Sequence, residues 1–302
     1  MAREGEGDVQ KPISELLSSH TRWWSDQTVA VVTGANKGIG FEIVRQLAKL
    51  RLNVILTSRD PSRGKRAVDE LSAQKLTVGF YPLDIEDKGS VQEFVRWLET
   101  TYGVLDILIN NAGVSFNGIN ENSVEHAETV IKTNYYGTKA LTEALLPLCR
   151  SSSSGARILN VSSRLGLLNK LRKERLRKRL KDVENLQQSE IDEMVDNFVK
   201  EAQGGTWETG GWPIVWTDYA VSKLALNAYS RLLARKLSSE GRRISTNCYC
   251  PGFVKTSMTK GVGKYTAEEA AVNAVWIVLL PPDLLPTGKF YRARQQICFS
   301  KL

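Results

Sequence analysis

The sequence predicts an α/β fold with a doubly wound parallel sheet in a single domain, and three observations lead to this prediction. From Thr28 onward, short apolar runs alternate with segments of helical periodicity, which is the pattern of parallel βαβ units. A glycine-rich turn follows the first apolar run and precedes the first helical segment. The 302 residues are 42% hydrophobic and 25% charged, a composition typical of a globular protein with a sizeable core.

Each predicted element follows from its own periodicity. The strands are short runs rich in apolar and β-branched residues, bounded by polar residues or glycine. The helices repeat apolar residues every three to four positions. In chain order, the predicted strands are 29–33, 53–57, 76–82, 105–110, 157–161, 244–249 and a short edge strand at 289–292, and the predicted helices are 39–49, 63–74, 90–101, 124–148 and 218–239.

Two segments depart from this alternation. Residues 1–27 carry several acidic side chains and lack the apolar centre of a secretory signal, so we expect a flexible N-terminal tail whose Trp23 and Trp24 pack on the body. Residues 169–212 are highly charged, show helical periodicity and end in paired glycines. We therefore expect one domain at 28–302, with a helical insertion at 169–212 between the fifth strand and the helix predicted at 218–239.

Composition argues against several kinds of partner. The four cysteines lack metal-site spacing and the chain has only two histidines, which indicates reduced thiols in a cytoplasmic protein without a metal. The longest apolar run, 271–280, is too short to span a membrane. The net charge is +8 and part of it lies at 170–181, but acidic residues follow at once. We expect a solvated helix face there rather than a surface for nucleic acid or membrane.

The glycine-rich turn predicts a dinucleotide site of the Rossmann type. Gly34, Gly38 and Gly40 lie between a valine-rich strand and a helix, where glycines permit a tight turn and a close approach to a pyrophosphate. The N-terminus of the helix adds unpaired N–H groups and a favourable dipole for phosphate. The predicted contacts of this turn are Gly34, Asn36, Lys37, Gly38, Ile39 and Gly40.

The end of the second strand predicts which dinucleotide binds. A site for NAD usually carries an acidic residue there for the ribose 2′-hydroxyl, whereas this strand runs into Arg59. Arg59 and Lys37 can both reach a 2′-phosphate, which favours NADP(H). Asp60, one position later, is the evidence for NAD.

Two Tyr-x-x-x-Lys pairs are candidates for acid–base chemistry. Tyr219 and Lys223 have the same spacing as Tyr135 and Lys139, and this spacing places both side chains on one helix face. A phenol beside an ammonium, combined with a dinucleotide site, predicts hydride transfer between a nicotinamide and a carbonyl or alcohol. The spacing alone does not distinguish the two pairs.

The ordered set of motifs resembles the short-chain dehydrogenase/reductase family. Three residues separate Gly34 from Gly38, which is similar to this family rather than to the extended, epimerase-like branch. In the family the Tyr-Lys pair follows the serine strand, so the resemblance selects Tyr219, since Tyr135 precedes Ser163. The matching motifs are Thr33-Gly34-x-x-x-Gly38-Ile39-Gly40, Asp84, Asn110-Asn111-Ala112-Gly113, Asn134, Ser163, Tyr219-x-x-x-Lys223 and Pro251-Gly252 leading to Thr256.

The long separation of the serine from the tyrosine resembles one branch of that family. Ser163 and Tyr219 are 56 positions apart, much farther than in ordinary members. A long insertion here is similar to the monomeric carbonyl reductases and to the plant menthone, salutaridine and aldehyde reductases. In that branch the insertion covers the helix surface that other members use to oligomerise, so the resemblance implies a monomer.

The resemblance also implies roles for the predicted catalytic residues. Tyr219 would donate a proton, and Lys223 would lower its pKa and hold the nicotinamide ribose. Ser163 would bind the substrate oxygen, because it precedes x-x-Gly as in the family, while Ser162 is more simply a strand-end hydroxyl. Asn134 would hold a water that links the lysine to solvent.

Further residues are implied to contact the cofactor. Asp84 would contact the adenine, and Asn111 would line the adenine-ribose region. Thr256 would touch the carboxamide or the phosphates. Structural alternatives stay open for Asn111 and its neighbour Asn110, as parts of a turn that stabilises the sheet, and for Thr256 as an ordinary loop residue.

The function implied is NADPH-dependent reduction of an aldehyde or ketone, including terpenoid and other plant carbonyls, to an alcohol. The alternative is a catalytically idle NADP(H)-binding protein that acts through partners. The sequence does not name the substrate. The candidate walls of its pocket are Trp207, Trp212, Trp216 and Phe253.

Overall fold

The fold is built on one central sheet of eight strands. The computed structural model describes residues 22–119, 121–151, 154–284 and 286–300, so most of the predicted tail, residues 1–21, lies outside the described residues. The strand order is β3-β2-β1-β4-β5-β6-β7-β8. The strands are β1 (Val29–Val32), β2 (Asn53–Ser58), β3 (Gly79–Pro82), β4 (Ile107–Asn110), β5 (Ala156–Val161), β6 (Ile244–Cys250), β7 (Phe290–Arg292) and β8 (Gln295–Ile297).

The winding of the sheet determines where a ligand can bind. Strand β1 pairs in parallel with both β2 and β4, so the chain winds outward in both directions from the middle of the sheet. In such sheets the crevice lies beyond the carboxyl ends of the strands, at the point where the order reverses. The predicted doubly wound α/β fold is confirmed. The antiparallel edge strand β8 was not predicted, because three residues carry too little periodicity to identify a strand.

Helices cover both faces of the sheet. They are α1 (Gly38–Lys49), α2 (Pro61–Ala73), α3 (Lys88–Tyr102), α4 (Ala127–Ile131), α5 (Thr138–Leu145), α6 (Glu174–Lys181), α7 (Gln188–Gln203), α8 (Thr217–Ser239) and α9 (Ala267–Val278). One buried apolar cluster joins the sheet to α1, α2 and α9, and a second joins it to α3, α4, α5, α6, α7 and α8.

The prediction of one continuous helix over 124–148 is wrong. Helix α4 ends at Ile131 and α5 begins at Thr138, and Lys132–Gly137 between them form a π-helix, which we call the π-turn. A π-helix admits one extra residue per turn, which the apolar periodicity of the sequence does not reveal. Helix α5 stops at Leu145 because Pro147 cannot continue it.

The insertion forms two helices, α6 and α7. Helix α7 buries Ile191, Met194, Val195 and Phe198 and packs against α4 and α8. In the basic helix α6 only Leu180 is buried. The arrangement agrees with the expected solvated face. Its ion pairs join Lys178 to Glu174 at 2.8 Å and Arg179 to Glu190 of α7.

The chain is packed on the body from the first described residues onward. Trp24 is 3% exposed within the apolar cluster of α1 and α9, and the guanidinium of Arg157 lies 3.4 Å above the ring of Trp23. Of the cysteines, Cys149, Cys248 and Cys250 are buried. Among the described helices, none combines the length and apolarity needed to cross a bilayer.

Candidate active site

A cleft of about 1150 Å³ lies at the carboxyl edge of the sheet and brings together most of the predicted site residues. It extends from the glycine turn to the start of the insertion. Gly40 and Asn134 lie behind its wall rather than on it. The predicted residues that line the cleft are Gly34, Asn36, Lys37, Gly38, Ile39, Arg59, Asp84, Asn111, Ser163, Tyr219, Lys223 and Thr256.

The glycine turn has the backbone that a phosphate cradle requires. Gly34 and Gly38 adopt φ values of +60° and +61°, a region that other residues enter at a cost. The N-cap residue of α1, Lys37, makes no side-chain hydrogen bond to the first turn, so that turn presents its N–H groups to the cleft. These features fit the pyrophosphate of a dinucleotide. Across the cleft, a Cβ on Gly38 would lie 3.6 Å from Cγ2 of Thr256.

Two neighbouring asparagines hold this region together. The Asn111 amide donates to the backbone oxygens of Thr33 at 2.9 Å and Gly34 at 3.2 Å, so it fixes the glycine turn while its residue lines the cleft. Asn110 is buried, and its amide donates to Thr142 Oγ1 at 2.9 Å and to a second asparagine of the sheet at 2.8 Å. The structural alternative therefore applies fully to Asn110 and partly to Asn111.

The end of β2 carries the groups that distinguish the two dinucleotides. Arg59 is 68% exposed and Lys37 is exposed beside it. The Asp60 carboxylate caps α2: it accepts a hydrogen bond from the Arg63 backbone N–H at 3.0 Å and pairs with Arg63 Nε at 3.1 Å. The backbone hydrogen bond from Arg63 also lowers the pKa of Asp60. Asp60 is therefore already engaged by its own helix.

Arg63 is a cleft residue that the sequence analysis missed. It lies in the first turn of α2, four positions after Arg59. Arg59 precedes the N-cap of this helix, Asp60, so helical spacing does not relate the two arginines, and no local pattern placed Arg63 in the cleft.

Near the other end of the cleft, Tyr219 faces Ser163. Tyr219 lies in the first turn of α8, half-buried, and its ring meets Trp216 edge-on at 5.9 Å. Its hydroxyl forms a hydrogen bond with Ser163. Asp218 fixes this turn, since its carboxylate accepts hydrogen bonds from the Tyr219 backbone N–H at 2.6 Å and from the Asn117 amide at 2.5 Å.

Lys223 is buried one turn farther along α8. Lys223 is only 4% exposed, and its Nζ donates to the backbone oxygen of Val161 at 3.0 Å. Nζ lies 5.4 Å from the centre of the Tyr219 ring. Burial lowers the pKa of Lys223 to about 8.

The predicted lowering of the Tyr219 pKa by Lys223 is wrong for this structure. Burial raises the pKa of Tyr219, and the hydrogen bond with Ser163 opposes that rise only in part. Desolvation disfavours the phenolate more than the surrounding groups favour it. The phenol therefore stays protonated at neutral pH, which is the form that can donate a proton.

The two adjacent serines have different environments. Ser163 lines the cleft and its Oγ accepts from the Leu165 backbone N–H at 3.2 Å. Ser162 also borders the cleft, but it is 1% exposed and its hydroxyl donates to Asn227 Oδ1 at 2.6 Å. Gly166 explains the Ser-x-x-Gly spacing, because a Cβ there would lie 2.4 Å from the backbone carbon of Lys223. Only glycine lets residues 163–166, which we call the serine turn, pack this closely on α8.

Asn134 lies in the π-turn behind Lys223. Its amide donates to the Val114 backbone oxygen at 2.9 Å and to Ser222 Oγ at 3.0 Å, and Oδ1 accepts from the Val114 N–H at 2.8 Å. A Cβ placed on Gly113 would lie 3.1 Å from Asn134 Oδ1 and 3.6 Å from Lys223 Nζ. The asparagine and the lysine therefore border the same small space. The predicted water beside Asn134 stays a prediction.

The second Tyr-x-x-x-Lys pair lies away from the cleft. Tyr135 is fully buried, and both Tyr135 and Lys139 bind Asp192 of α7. Asp84, by contrast, lines the cleft as predicted, and its Oδ1 accepts from the Glu86 N–H at 3.0 Å.

The wall next to Tyr219 is mainly apolar. Of the four candidate wall residues, Trp216 and Phe253 line the cleft, whereas Trp212 is 1% exposed in the core and Trp207 packs against that core. Phe253 is 40% exposed. The sequence analysis missed several further lining residues, which no local pattern identified: Phe116, Arg164, Leu165, Lys170, Met258 and Ile297.

Comparison with known proteins places these features in context. A family model described as short chain dehydrogenase matches residues 28–173 and 211–267, and the gap coincides with α6 and α7. The chain is 40% identical over 299 residues to short-chain dehydrogenase/reductase 1 of Saponaria officinalis, covering 91% of this chain and 97% of that protein. It is 38% identical over 279 residues to carbonyl reductase [NADPH] 1 of Mus musculus, covering 90% and 98%. The solved structure of salutaridine reductase from Papaver somniferum aligns with a TM-score of 0.81 and 38% identity, over 87% of this chain and 99% of that one.

The buried charge of Lys223 gives a test of stability. Because the pKa of Lys223 is about 8 in the folded protein and 10.5 ordinarily, its charge opposes folding fully below pH 8 and ceases to do so as the pH approaches 10.5. We expect Lys223→Met to raise the free energy of unfolding by about 1–2 kcal/mol near neutral pH, since removing a penalty of about 3 kcal/mol is offset by the lost hydrogen bond to Val161. Urea unfolding at neutral pH and near pH 10.5 measures the gain and its disappearance.

Lys139→Met is the matched control. Lys139 pairs with Asp192 at 2.8 Å, so its loss should lower stability at neutral pH. If both variants lowered stability equally, the Lys223 charge would not oppose folding.

Proposed function

The chain belongs to the short-chain dehydrogenase/reductase family, and on that premise we propose that it reduces an aldehyde or ketone to an alcohol with NADPH as the hydride donor. One observation carries this proposal: a single cleft joins a phosphate cradle to Ser163, Tyr219 and Lys223. The named reductases among the relatives support the same reaction.

The cleft would hold NADPH, which when bound would supply a hydride for the carbonyl carbon. The hydroxyls of Ser163 and Tyr219 hold the carbonyl oxygen, where negative charge develops. The proton moves from Tyr219 Oη to that oxygen and completes the alcohol. Lys223 lies close enough to stabilise the tyrosinate that remains, and Asn134 borders the space through which a proton can return to the lysine.

The preference for NADP(H) rests on charge at the end of β2. Arg59, Arg63 and Lys37 offer three cations to a 2′-phosphate. Asp60, the sequence evidence for NAD, is engaged as the cap of α2 and pairs with Arg63. The pairing occupies part of the Asp60 carboxylate, and a 2′-phosphate would compete with that carboxylate for Arg63.

The remaining cofactor contacts are part of the proposal. Asp84 would meet the adenine, and Asn111 the adenine ribose. Thr256, across from Gly38, would meet the phosphates or carboxamide. The glycine turn would contribute the contacts predicted for Gly34, Asn36, Lys37, Gly38, Ile39 and Gly40.

The substrate proposed is a bulky, mainly apolar carbonyl compound, such as a terpenoid ketone. Phe116, Trp216, Phe253 and Met258 all line the cleft, and Trp216 contacts the Tyr219 ring edge-on. Phe116 and Phe253 are 50% and 40% exposed, so the cleft offers apolar surface to a substrate.

We propose that the protein is monomeric and cytoplasmic, with residues 28–302 as one unit and 169–212 as its insertion. Helix α7 covers α4 and α8, the faces that would otherwise be open to a second copy. The buried thiols of Cys149, Cys248 and Cys250 suit a reducing compartment.

Tyr219→Phe tests the proton donor. We expect kcat for reduction of aldehydes and cyclic ketones to fall by at least about a thousandfold, because the donated proton is lost, while the Kd for NADPH stays within twofold. Absorbance of NADPH measures turnover and its fluorescence measures binding. Tyr135→Phe is the matched control and should lose no more than about tenfold. Binding of NADPH by the wild type without turnover of any carbonyl would favour the idle protein.

The choice of cofactor is tested by comparing NADPH with NADH. We expect kcat/KM to favour NADPH by at least about tenfold, or about 1.4 kcal/mol. The double variant Arg59→Gln, Arg63→Gln should remove most of this preference by raising the KM for NADPH, with little change for NADH. Equal use of both cofactors by the wild type would contradict this assignment.

The monomer is tested by light scattering at concentrations up to about 100 μM. We expect a mass near the 33.7 kDa of a single chain, because α7 occupies the faces of α4 and α8. A mass of twice that value or more would overturn the proposal.

A further inference from the structure

The second Tyr-x-x-x-Lys pair has a place in the structure that the catalytic reaction does not use directly. Tyr135 Oη donates to Asp192 Oδ1 at 2.7 Å, and Lys139 Nζ lies 2.8 Å from both oxygens of the same carboxylate. Gln188 donates to Tyr135 Oη at 2.7 Å. We call these four residues the clasp. It joins the insertion, through α7, to the helix that carries Asn134.

The clasp binds the π-turn directly next to Asn134. Tyr135 directly follows Asn134 within Lys132–Gly137, and Lys139 lies one turn later, at the start of α5. A π-helix is rare and weaker than the α-helix it interrupts, so it persists only where contacts outside the helix support it. Glu86 also binds the π-turn, at Thr133 and, at 3.6 Å, at Lys132.

The orientation of Asn134 depends on this register. Its side chain connects Val114, which follows β4, to Ser222 on α8, the residue before Lys223. If the π-turn relaxed to an α-helix, every residue after it would rotate by about 100° and shift by about 1.5 Å. Asn134 could not then keep its hydrogen bonds while Lys139, which follows the π-turn, kept its contact with Asp192.

We propose that Asp192 is a positioning residue: through Tyr135 and Lys139, the insertion holds the π-turn in the register that places Asn134 beside Lys223. This inference rests on the proposed reductase function. It gives the insertion a role in the rate of the reaction, in addition to covering the faces of α4 and α8. Asp192 touches neither cofactor nor substrate, and acts only through the clasp.

Because the clasp is buried, water cannot easily take the place of the Asp192 carboxylate. Tyr135 is fully buried, and the Lys139 side chain is 15% exposed. Without Asp192, a buried phenol and an ammonium would lack their acceptor, and such groups move toward water when they can. Any such movement shifts the π-turn that carries Asn134.

The test is steady-state kinetics of Asp192→Ala and Asp192→Asn with NADPH and an aldehyde that the wild type reduces. We expect kcat to fall about tenfold in Asp192→Ala, about 1.4 kcal/mol, while the KM for the aldehyde and the Kd for NADPH stay within twofold. Asp192→Asn, whose amide oxygen can still accept from Tyr135, should recover at least half of that loss on a logarithmic scale. Losses in Asp192→Ala and Tyr135→Phe should be non-additive in the double variant, because both break the same contact.

Asp196→Ala is the matched control. Asp196 lies one turn farther along α7 and also binds the π-turn, since its carboxylate accepts from Tyr136 Oη at 2.7 Å. This contact is at the exposed edge, where water can replace the carboxylate. It should leave kcat within twofold.

Three outcomes would overturn the inference. One is an Asp192→Ala enzyme as fast as Asp196→Ala, and another is a loss shared equally by kcat and NADPH binding. The third is additive losses with Tyr135→Phe. If Asp192→Ala does not fold, Asp192→Asn and Tyr135→Phe decide the question. A wild type that reduces no carbonyl with NADPH would instead refute the proposed function.

Discussion

The burial of the Lys223 ammonium is the constraint on which the rest of the site depends. A charge held in a residue 4% exposed loses most of its hydration, and the lowered pKa records that loss. The backbone oxygen of Val161, at the end of β5, accepts a hydrogen bond from Lys223 Nζ at 3.0 Å. The serine turn can approach the same helix only because Gly166 has no side chain. Sheet, serine turn and helix therefore meet around one lysine.

Burial, rather than the lysine, explains why the neighbouring phenol is protonated. Nζ lies over the ring of Tyr219 at 5.4 Å from its centre, and burial governs the pKa of both groups. Burial disfavours charge on each of them, so it raises one pKa and lowers the other. A pair arranged in this way favours proton donation to an oxygen that becomes negative. A site of this kind is less stable than an apolar core of equal size.

The two Tyr-x-x-x-Lys pairs show that identical spacing can serve two purposes. Tyr219 is half-buried in a cleft and meets a serine, whereas Tyr135 is fully buried and meets the carboxylate of Asp192. Asp192 comes from the insertion that separates Ser163 from Tyr219 along the chain. The segment that lengthens this distance thus also supplies the partner of the second pair.

Local sequence patterns predicted the parallel sheet and the glycine turn. The order of the motifs along the chain, compared with that of the family they resemble, predicted Ser163 over Ser162 and Tyr219 over Tyr135. The tertiary structure decided the π-turn, the engagement of Asp60 by Arg63, the place of Arg63 in the cleft and the direction of the Tyr219 pKa shift. Each of these depends on burial or on a specific contact made in the folded chain. A π-helix and an α-helix share nearly the same apolar periodicity, and what supports the π-helix here includes a carboxylate 57 positions away from Tyr135.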